Sequence, residues 1–175
     1  MPTRKVDFAT LSLRDALDLA VLIEEEARDR YEELTHQMEL HHTHDAARFF
    51  RYMVGNEEKH RVALAERRAK LFGEEPRAVT REMIFDVEAP DYDEVRAYMT
   101  PRTALTTALH SEEKAWSFFT QAAAQVGHAE VKKLFEELVA EELEHQQLVK
   151  KELAKLPADD ELRQEDFEDP PVAHD

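Results

Sequence analysis

Hydrophobic residues recur along most of this chain at intervals of three and four, the spacing that gives an α-helix one apolar face. Four stretches carry the pattern, and in each of them a glutamate interrupts the apolar face. They run from Thr10 or Ser12 to about Leu40, from Thr43 to Gly73, from Pro101 to about Gln125, and from Ala129 to about Leu156. The pattern predicts four helices that pair into two antiparallel hairpins.

Residues at the ends of the stretches support these boundaries. Ser12 begins a sequence that resembles a capping box, and Thr43 can cap the second helix. Gly73 suits the C-terminal cap of that helix, and Pro101 suits the first position of the third. Pro157 ends the helical pattern, so we expect the bundle to occupy residues 1–157.

The segment between the hairpins, from Glu74 to Met99, shows no helical pattern. It contains Pro76, Pro90 and a short apolar patch at 83–85. One long connection between two hairpins with short internal loops is typical of a bundle whose middle link crosses its length. The predicted fold class is therefore all-α, a four-helix bundle of two antiparallel helical hairpins joined by a long crossover connection.

Composition agrees with this fold and limits the chemistry. The 175 residues include three glycines and no cysteine, and 35% of them are charged. Because there is no cysteine, disulfides and thiolate ligands are excluded, and any metal must bind oxygen and nitrogen atoms. No apolar run is long enough for a signal peptide or a membrane span, so we expect a cytoplasmic protein with no membrane partner.

The net charge of −16 disfavours binding to nucleic acid. Part of this charge, −7, falls between Asp159 and Asp175, where eight acids accompany Arg163 as the single base. Such a sparsely apolar, acidic segment favours disorder over packing. Residues 158–175 are therefore predicted to be a flexible acidic tail.

The glutamates that interrupt the apolar faces belong to a repeat. Each hairpin has one Glu on its first helix and a Glu-x-x-His on its second, and equivalent positions lie 88, 85 and 85 residues apart. The two sets are Glu24, Glu57 and His60, and Glu112, Glu142 and His145. Glu-x-x-His places both side chains on one face of a helix, so that one can bridge two metals while the other binds one of them.

Four carboxylates and two imidazoles in one core would cost several kcal/mol per ion without a compensating cation. Two divalent metals would balance four glutamate charges. Carboxylate and imidazole ligands suit iron or manganese, and the same ligand set is known from di-iron and di-manganese helical bundles. The repeat thus predicts a dinuclear metal site.

At these residues the chain resembles the ferritin-like superfamily, and most closely its rubrerythrin-like branch. The segment from Glu24 to Tyr31 is similar to that family's first-helix ligand motif, in which a metal-binding Glu precedes a Tyr by two turns. The resemblance covers about residues 11–156 and implies a ferritin-like bundle with two iron ions, or manganese, and neither haem nor flavin. It implies terminal ligands Glu24 and Glu112, bridging ligands Glu57 and Glu142, and terminal nitrogens from His60 and His145.

The chain departs from this family at two points. Rubrerythrins proper carry a cysteine-bound rubredoxin iron, so here we expect a separate electron donor. Many also carry a further glutamate one turn after the third-helix ligand, where this chain has Ala115. We therefore expect a plain six-ligand site.

Other residues have weaker claims on function. Tyr31 lies two turns after Glu24 and can donate to the site or act as a redox-active phenol, while a core tyrosine with a satisfied hydroxyl is the plainer interpretation. Trp116 is expected in packing or at a dimer interface. A histidine cluster is interpreted as a solvated interhelical loop, with weak metal binding as the alternative; it comprises His41, His42 and His44.

The leading functional hypothesis is an oxidoreductase in which two ferrous ions react with dioxygen or hydrogen peroxide, as a ferroxidase or a peroxide reductase. Two alternatives belong to other classes: an iron storage or delivery protein, and a non-catalytic interaction bundle. By analogy with the family we expect a homodimer.

Overall fold

The computed structural model describes residues 6–88 and 100–157, and of residues 85–88 only the backbone. All regular secondary structure in these ranges is helical, which confirms the predicted fold class. A short 3-10 helix at Phe8–Thr10 precedes α1 (Leu13–Leu40), α2 (His44–Phe72), α3 (Arg81–Glu88), α4 (Pro101–Gln125) and α5 (Ala129–Leu153). The helix α1 packs along α2, and α4 packs along α5, giving the two hairpins.

Most of the predicted boundaries are confirmed, and α5 differs by three residues. It ends at Leu153, and a turn follows over 154–156. The predicted acidic tail lies outside the described residues, and the division of the chain at 157 stays a prediction.

Of the two predicted N-terminal caps, that at Ser12 forms and that at Thr43 does not. The Ser12 hydroxyl accepts a hydrogen bond from the Asp15 backbone N–H at 3.1 Å. A cap that was not predicted forms at the start of α4, where the Thr100 hydroxyl accepts from the Thr103 backbone N–H at 3.1 Å. Thr43 occupies the cap position of α2, but its side chain makes no capping bond. The hydroxyl instead donates to the Met38 carbonyl at 3.0 Å, because the turn brings it back over the end of α1.

The connection between the hairpins contains a short helix that the pattern did not predict. On α3, the Arg81 guanidinium lies 2.8 Å from Glu25 and 3.1 Å from Asp29, both on α1. Ile84 is fully buried in the core. These contacts fasten the first part of the connection to the side of α1.

A buried ion pair fixes the end of the first hairpin. The Arg68 guanidinium on α2 forms two bonds to the Asp18 carboxylate on α1, at 2.8 and 3.2 Å, and both side chains are buried. The same guanidinium donates to the carbonyls of Gly73 and Glu75. Gly73 ends α2 with a φ of 57°, a conformation that glycine adopts without strain.

The apolar interior consists of two clusters with a polar layer between them. On α1, the first cluster ends at Ile23 and the second begins at Tyr31, and Glu24 lies between them. The order is reversed on α4, where Glu112 separates Ala108 of the second cluster from Phe119 of the first. None of the described helices is long and apolar enough to cross a membrane.

Candidate metal centre

The helices bring all six predicted ligands together in the polar layer. Five of them are at most 3% exposed: Glu24, Glu57, Glu112, Glu142 and His145. His60 is the exception, with 28% of its side chain exposed. Each lies on its predicted apolar face, so the convergence follows from the helical register of the sequence.

The donor atoms cluster within the distances that a metal ion requires. Three groups each offer one ligand atom per residue within 4.8 Å of the others. They are Glu57, His60 and His145; Glu24, His60 and Glu141; and Glu112, Glu142 and His145. All six predicted residues are included, together with Glu141, which was not predicted. Their role as ligands stays a prediction.

One half of the centre is formed around His145 and is deeply buried. Its Nδ1 lies 3.2 Å from Glu57 Oε1, 3.4 Å from Glu112 Oε2 and 3.9 Å from Glu142 Oε2. We call Glu112, Glu142 and His145 the inner half-site. All three residues come from the second hairpin.

The other half lies nearer the surface. His60 Nδ1 is 3.9 Å from Glu24 Oε2 and 3.6 Å from Glu141 Oε2. We call Glu24, His60 and Glu141 the outer half-site. It combines both helices of the first hairpin with α5.

Sequence reasoning missed Glu141 because the residue is off the apolar row of α5. It directly precedes the predicted ligand Glu142 and is 37% exposed. In a helix rich in glutamate, an acid one position off the buried face is normally solvated. Glu141 reaches the site because α5 packs beside His60. The hydrophobic pattern of one helix does not predict how that helix lies against another.

The buried polar atoms indicate that the centre is built for cations. Neither oxygen of Glu24 and neither ring nitrogen of His145 has a hydrogen-bond partner among the described residues, and the same is true of His60 Nδ1. Buried polar atoms without partners are rare and costly. Oxygen and nitrogen donors of this kind are those that iron and manganese prefer, so the residues present fit two such ions.

The pKa values of the clustered side chains are shifted by burial and by their charged neighbours. Burial raises the pKa of Glu24 to about 7. Burial also opposes charge on Glu112, but the positive charge of His145, whose Nδ1 lies 3.4 Å from Glu112 Oε2, outweighs it and lowers the Glu112 pKa to about 2. Burial acts against the imidazolium of His145, yet Glu112 and Glu24 raise its pKa overall. Without metal, a proton on His145 therefore takes part of the role of a cation.

Two side chains hold Glu112 in place. Tyr31 is fully buried, and its hydroxyl donates a hydrogen bond to Glu112 Oε1. The Gln146 amide donates to the Glu112 backbone carbonyl at 3.4 Å. Tyr31 thus contacts a predicted ligand directly, as a donor, while its assignment as a functional residue stays a prediction.

The centre opens to the surface between α2 and α5. A cavity of about 480 Å³ is lined by both histidines and by Tyr52, Asn56, Glu144, Gln147, Leu148 and Lys151. Its lining is largely polar and includes the exposed side of His60. The cavity therefore reaches one histidine of each half-site.

Apart from Tyr31, the residues with weaker claims contribute no donor atom to these groups of potential ligands in the described part of the chain. The loop histidines His42 and His44 face one another with ring centroids 6.1 Å apart, and neither belongs to a group of potential ligands in the described part of the chain. Trp116 is partly buried on α4, and its indole nitrogen has no hydrogen-bond partner among the described residues.

The family assignment follows from sequence comparison. The rubrerythrin family model matches residues 15–153, with a second match over residues 103–168. The chain belongs to the rubrerythrin family. This membership, together with the convergence of carboxylates and histidines, identifies the centre as a candidate metal site of the kind for which the family is known.

A solved structure shows the same fold in a relative. The crystal structure of an uncharacterised conserved protein from Magnetospirillum magnetotacticum MS-1 is similar to this rubrerythrin-family chain, with 32% identity and a TM-score of 0.69. The match covers 84% of this chain and 97% of that protein. No curated protein matches the chain.

Proposed function

We propose that this protein binds two iron ions at the six residues and oxidises them with dioxygen or hydrogen peroxide. The observation that carries the proposal is the set of buried ionisable side chains in the polar layer, two of which, Glu24 and His145, have no hydrogen-bond partners for their inward-facing atoms. Four carboxylates balance two ferrous ions. The family of the chain supports the same ligand chemistry.

When bound, two ferrous ions supply two electrons, which together with two protons convert hydrogen peroxide into two waters or dioxygen into hydrogen peroxide. Because these 175 residues contain no cysteine, the electrons that restore the ferrous state come from a separate donor. The rest of the chemistry depends on groups of the chain.

Those groups position ligands and control access. The Tyr31 hydroxyl and the Gln146 amide hold Glu112 from two directions, through its carboxylate and its backbone carbonyl. The two apolar clusters exclude water along the bundle axis. The oxidant and the protons that it consumes reach the centre through the cavity beside His60.

The first test is the stoichiometry of binding. Protein loaded with Fe(II) under anaerobic conditions should retain two ions per chain, and absorbance should report their oxidation when either oxidant is added. Comparison of the two rates then identifies the preferred oxidant. A wild-type chain that retains no iron would contradict the proposal.

A pair of double variants makes the test specific to the centre. Glu57→Ala with Glu142→Ala removes one carboxylate from each Glu-x-x-His and should abolish retention of at least one ion. The matched control is Glu66→Ala with Glu144→Ala, which removes exposed acids from the same two helices. Equal loading of both double variants would place the iron elsewhere.

A further inference from the structure

The outer half-site contains a carboxylate that the internal repeat does not provide. Glu141 Oε2 lies 3.6 Å from His60 Nδ1, closer than the predicted ligand Glu24 at 3.9 Å. One ligand atom from each of these three residues lies within 4.8 Å of the other two. Glu141 therefore stands where a ligand of the outer ion would stand.

The nitrogen that Glu141 approaches distinguishes a ligand from a supporting acceptor. A metal-bound histidine donates a hydrogen bond from its second ring N–H to an acceptor. A carboxylate that only orients the histidine would therefore lie beside the nitrogen that faces away from the metal. In both histidines, Nδ1 faces the carboxylates of the centre. Glu141 lies on the Nδ1 side of His60, which is the metal side.

A second observation points to a cation at the same place. Glu24 is 2% exposed, and both of its oxygens lack a hydrogen-bond partner among the described residues. His60 Nδ1 is buried and likewise has none. The outer half-site thus contains a buried carboxylate and a nitrogen whose bonding capacity is unused, with Glu141 beside them on the solvent side.

The repeat shows that this carboxylate belongs to the second hairpin alone. The spacing of 85 residues makes Asn56 the equivalent of Glu141, and an amide there carries no charge. Asn56 lines the cavity that His145 also lines. The first hairpin therefore provides no counterpart of the Glu141 carboxylate.

We propose that Glu141 is a seventh ligand, which binds the metal ion of the outer half-site from the solvent side. The proposal rests on the proposed function, since it presumes that both half-sites bind metal. It replaces the expected six-ligand site: the helix α5 supplies a further carboxylate, while α4 has Ala115 one turn after Glu112. Glu141 is 37% exposed, so its carboxylate reaches the outer half-site from the solvent side.

The test is an anaerobic titration of the full chain with Co(II). This ion is not oxidised in the absence of oxygen, and its visible absorption reports its coordination. Wild type should bind two Co(II) ions per chain. In Glu141→Gln, the affinity of one ion should fall by about tenfold or more, at least the loss seen when groups that merely support a ligand are removed. The absorption of that ion should change, while the other ion binds as in wild type.

The matched control is Glu144→Gln. Glu144 is exposed, lies three residues further along α5 and lines the same cavity. The substitution Glu144→Gln removes one negative charge near His60 without removing a candidate ligand. The variant should bind Co(II) with the affinity of wild type. An equal loss of affinity in both variants would show a general charge effect and overturn the proposal.

Two further outcomes separate this inference from the proposed function. If Glu141→Gln binds two Co(II) ions with wild-type affinities and spectrum, the seventh ligand is wrong and the six-ligand centre stands. If wild type itself binds fewer than two, the dinuclear centre fails, and the seventh ligand fails with it.

Discussion

The imidazole rings of His60 and His145 stack in parallel, with centroids 5.2 Å apart and planes 8° from each other. These residues are equivalents in the repeat, 85 positions apart. The two equivalent histidines of the sequence repeat thus lie face to face in the structure. The pair is nevertheless unequal, because 28% of the His60 side chain is exposed and 3% of that of His145.

The metal-free protein should lose stability as the pH rises from about 4.5 to about 7. Glu24 has a pKa of about 7 in the fold and close to 4.5 when unfolded, so between these values the folded chain binds more protons, and the free energy of unfolding falls with pH. His145 adds to this fall, because its stabilisation is lost as the pH rises through its raised folded pKa. Urea unfolding should show a loss of roughly 1 to 3 kcal/mol.

The control for this pH dependence is Glu24→Gln, which imitates the protonated carboxyl. Its metal-free form should show a flatter dependence and should be more stable than wild type at about pH 8. Glu66→Gln, on the exposed side of α2, should keep the wild-type slope. A flat wild-type profile would mean that Glu24 is not strained by burial.

Binding of metal should restore the free energy of unfolding that the metal-free protein loses at higher pH, because metal ions bind the deprotonated ligands. At a free metal concentration of about one hundred times the Kd, binding adds about 2.7 kcal/mol, which corresponds to a rise in Tm of roughly 5 to 10 °C. Calorimetry of the metal-free and the Co(II)-loaded protein measures it. The double variant of Glu57 and Glu142 should show a much smaller rise, and an unchanged Tm in wild type would favour a non-catalytic bundle.

Tyr31→Phe should destabilise the metal-free protein by about 1 to 3 kcal/mol, since it removes the donor to a buried carboxylate. Both metal ions should still bind, because all the ligands remain. Urea unfolding and Co(II) titration give the two readouts. Tyr52→Phe is the control: this tyrosine is 55% exposed and should show almost no change. A Tyr31→Phe variant as stable as wild type would mean that the bond to Glu112 contributes nothing.

Arg68→Met should lower the free energy of unfolding by about 3 to 5 kcal/mol, because the Asp18 carboxylate stays buried without its main partner. The neighbouring Arg67 pairs with Glu137 at the surface, so Arg67→Met should cost less than about 1 kcal/mol. Adding Asp18→Leu to Arg68→Met should recover much of the loss. Equal effects of the two arginine variants in urea unfolding would contradict this account.

Sequence alone predicted those features that depend on one helix at a time. The rows around Glu24 and Glu112 became buried faces because side chains three and four residues apart share a side of a helix. The cap at Ser12 and the helix end at Gly73 follow from interactions between residues close in sequence. The two hairpins follow from short loops.

The features that sequence reasoning missed depend on how helices lie against each other. Glu141 reaches His60 from another hairpin, and the greater exposure of His60 results from the gap between α2 and α5. The helix α3 is short, and its Ile84 is buried through contacts with distant helices. Thr43 bonds back to Met38, an alternative that the same local sequence permits.

The polar layer lies near the middle of long helices, and this position restricts any protein that exchanges electrons with it. Glu24 is 11 residues from the start of α1 and 16 from its end, or about 16 and 24 Å along the axis. Electron exchange weakens steeply with distance, so a redox partner docked at either tip of the bundle would be too remote. The groove between α2 and α5 offers an electron donor of the proposed kind a shorter approach, because both His60 and His145 line it.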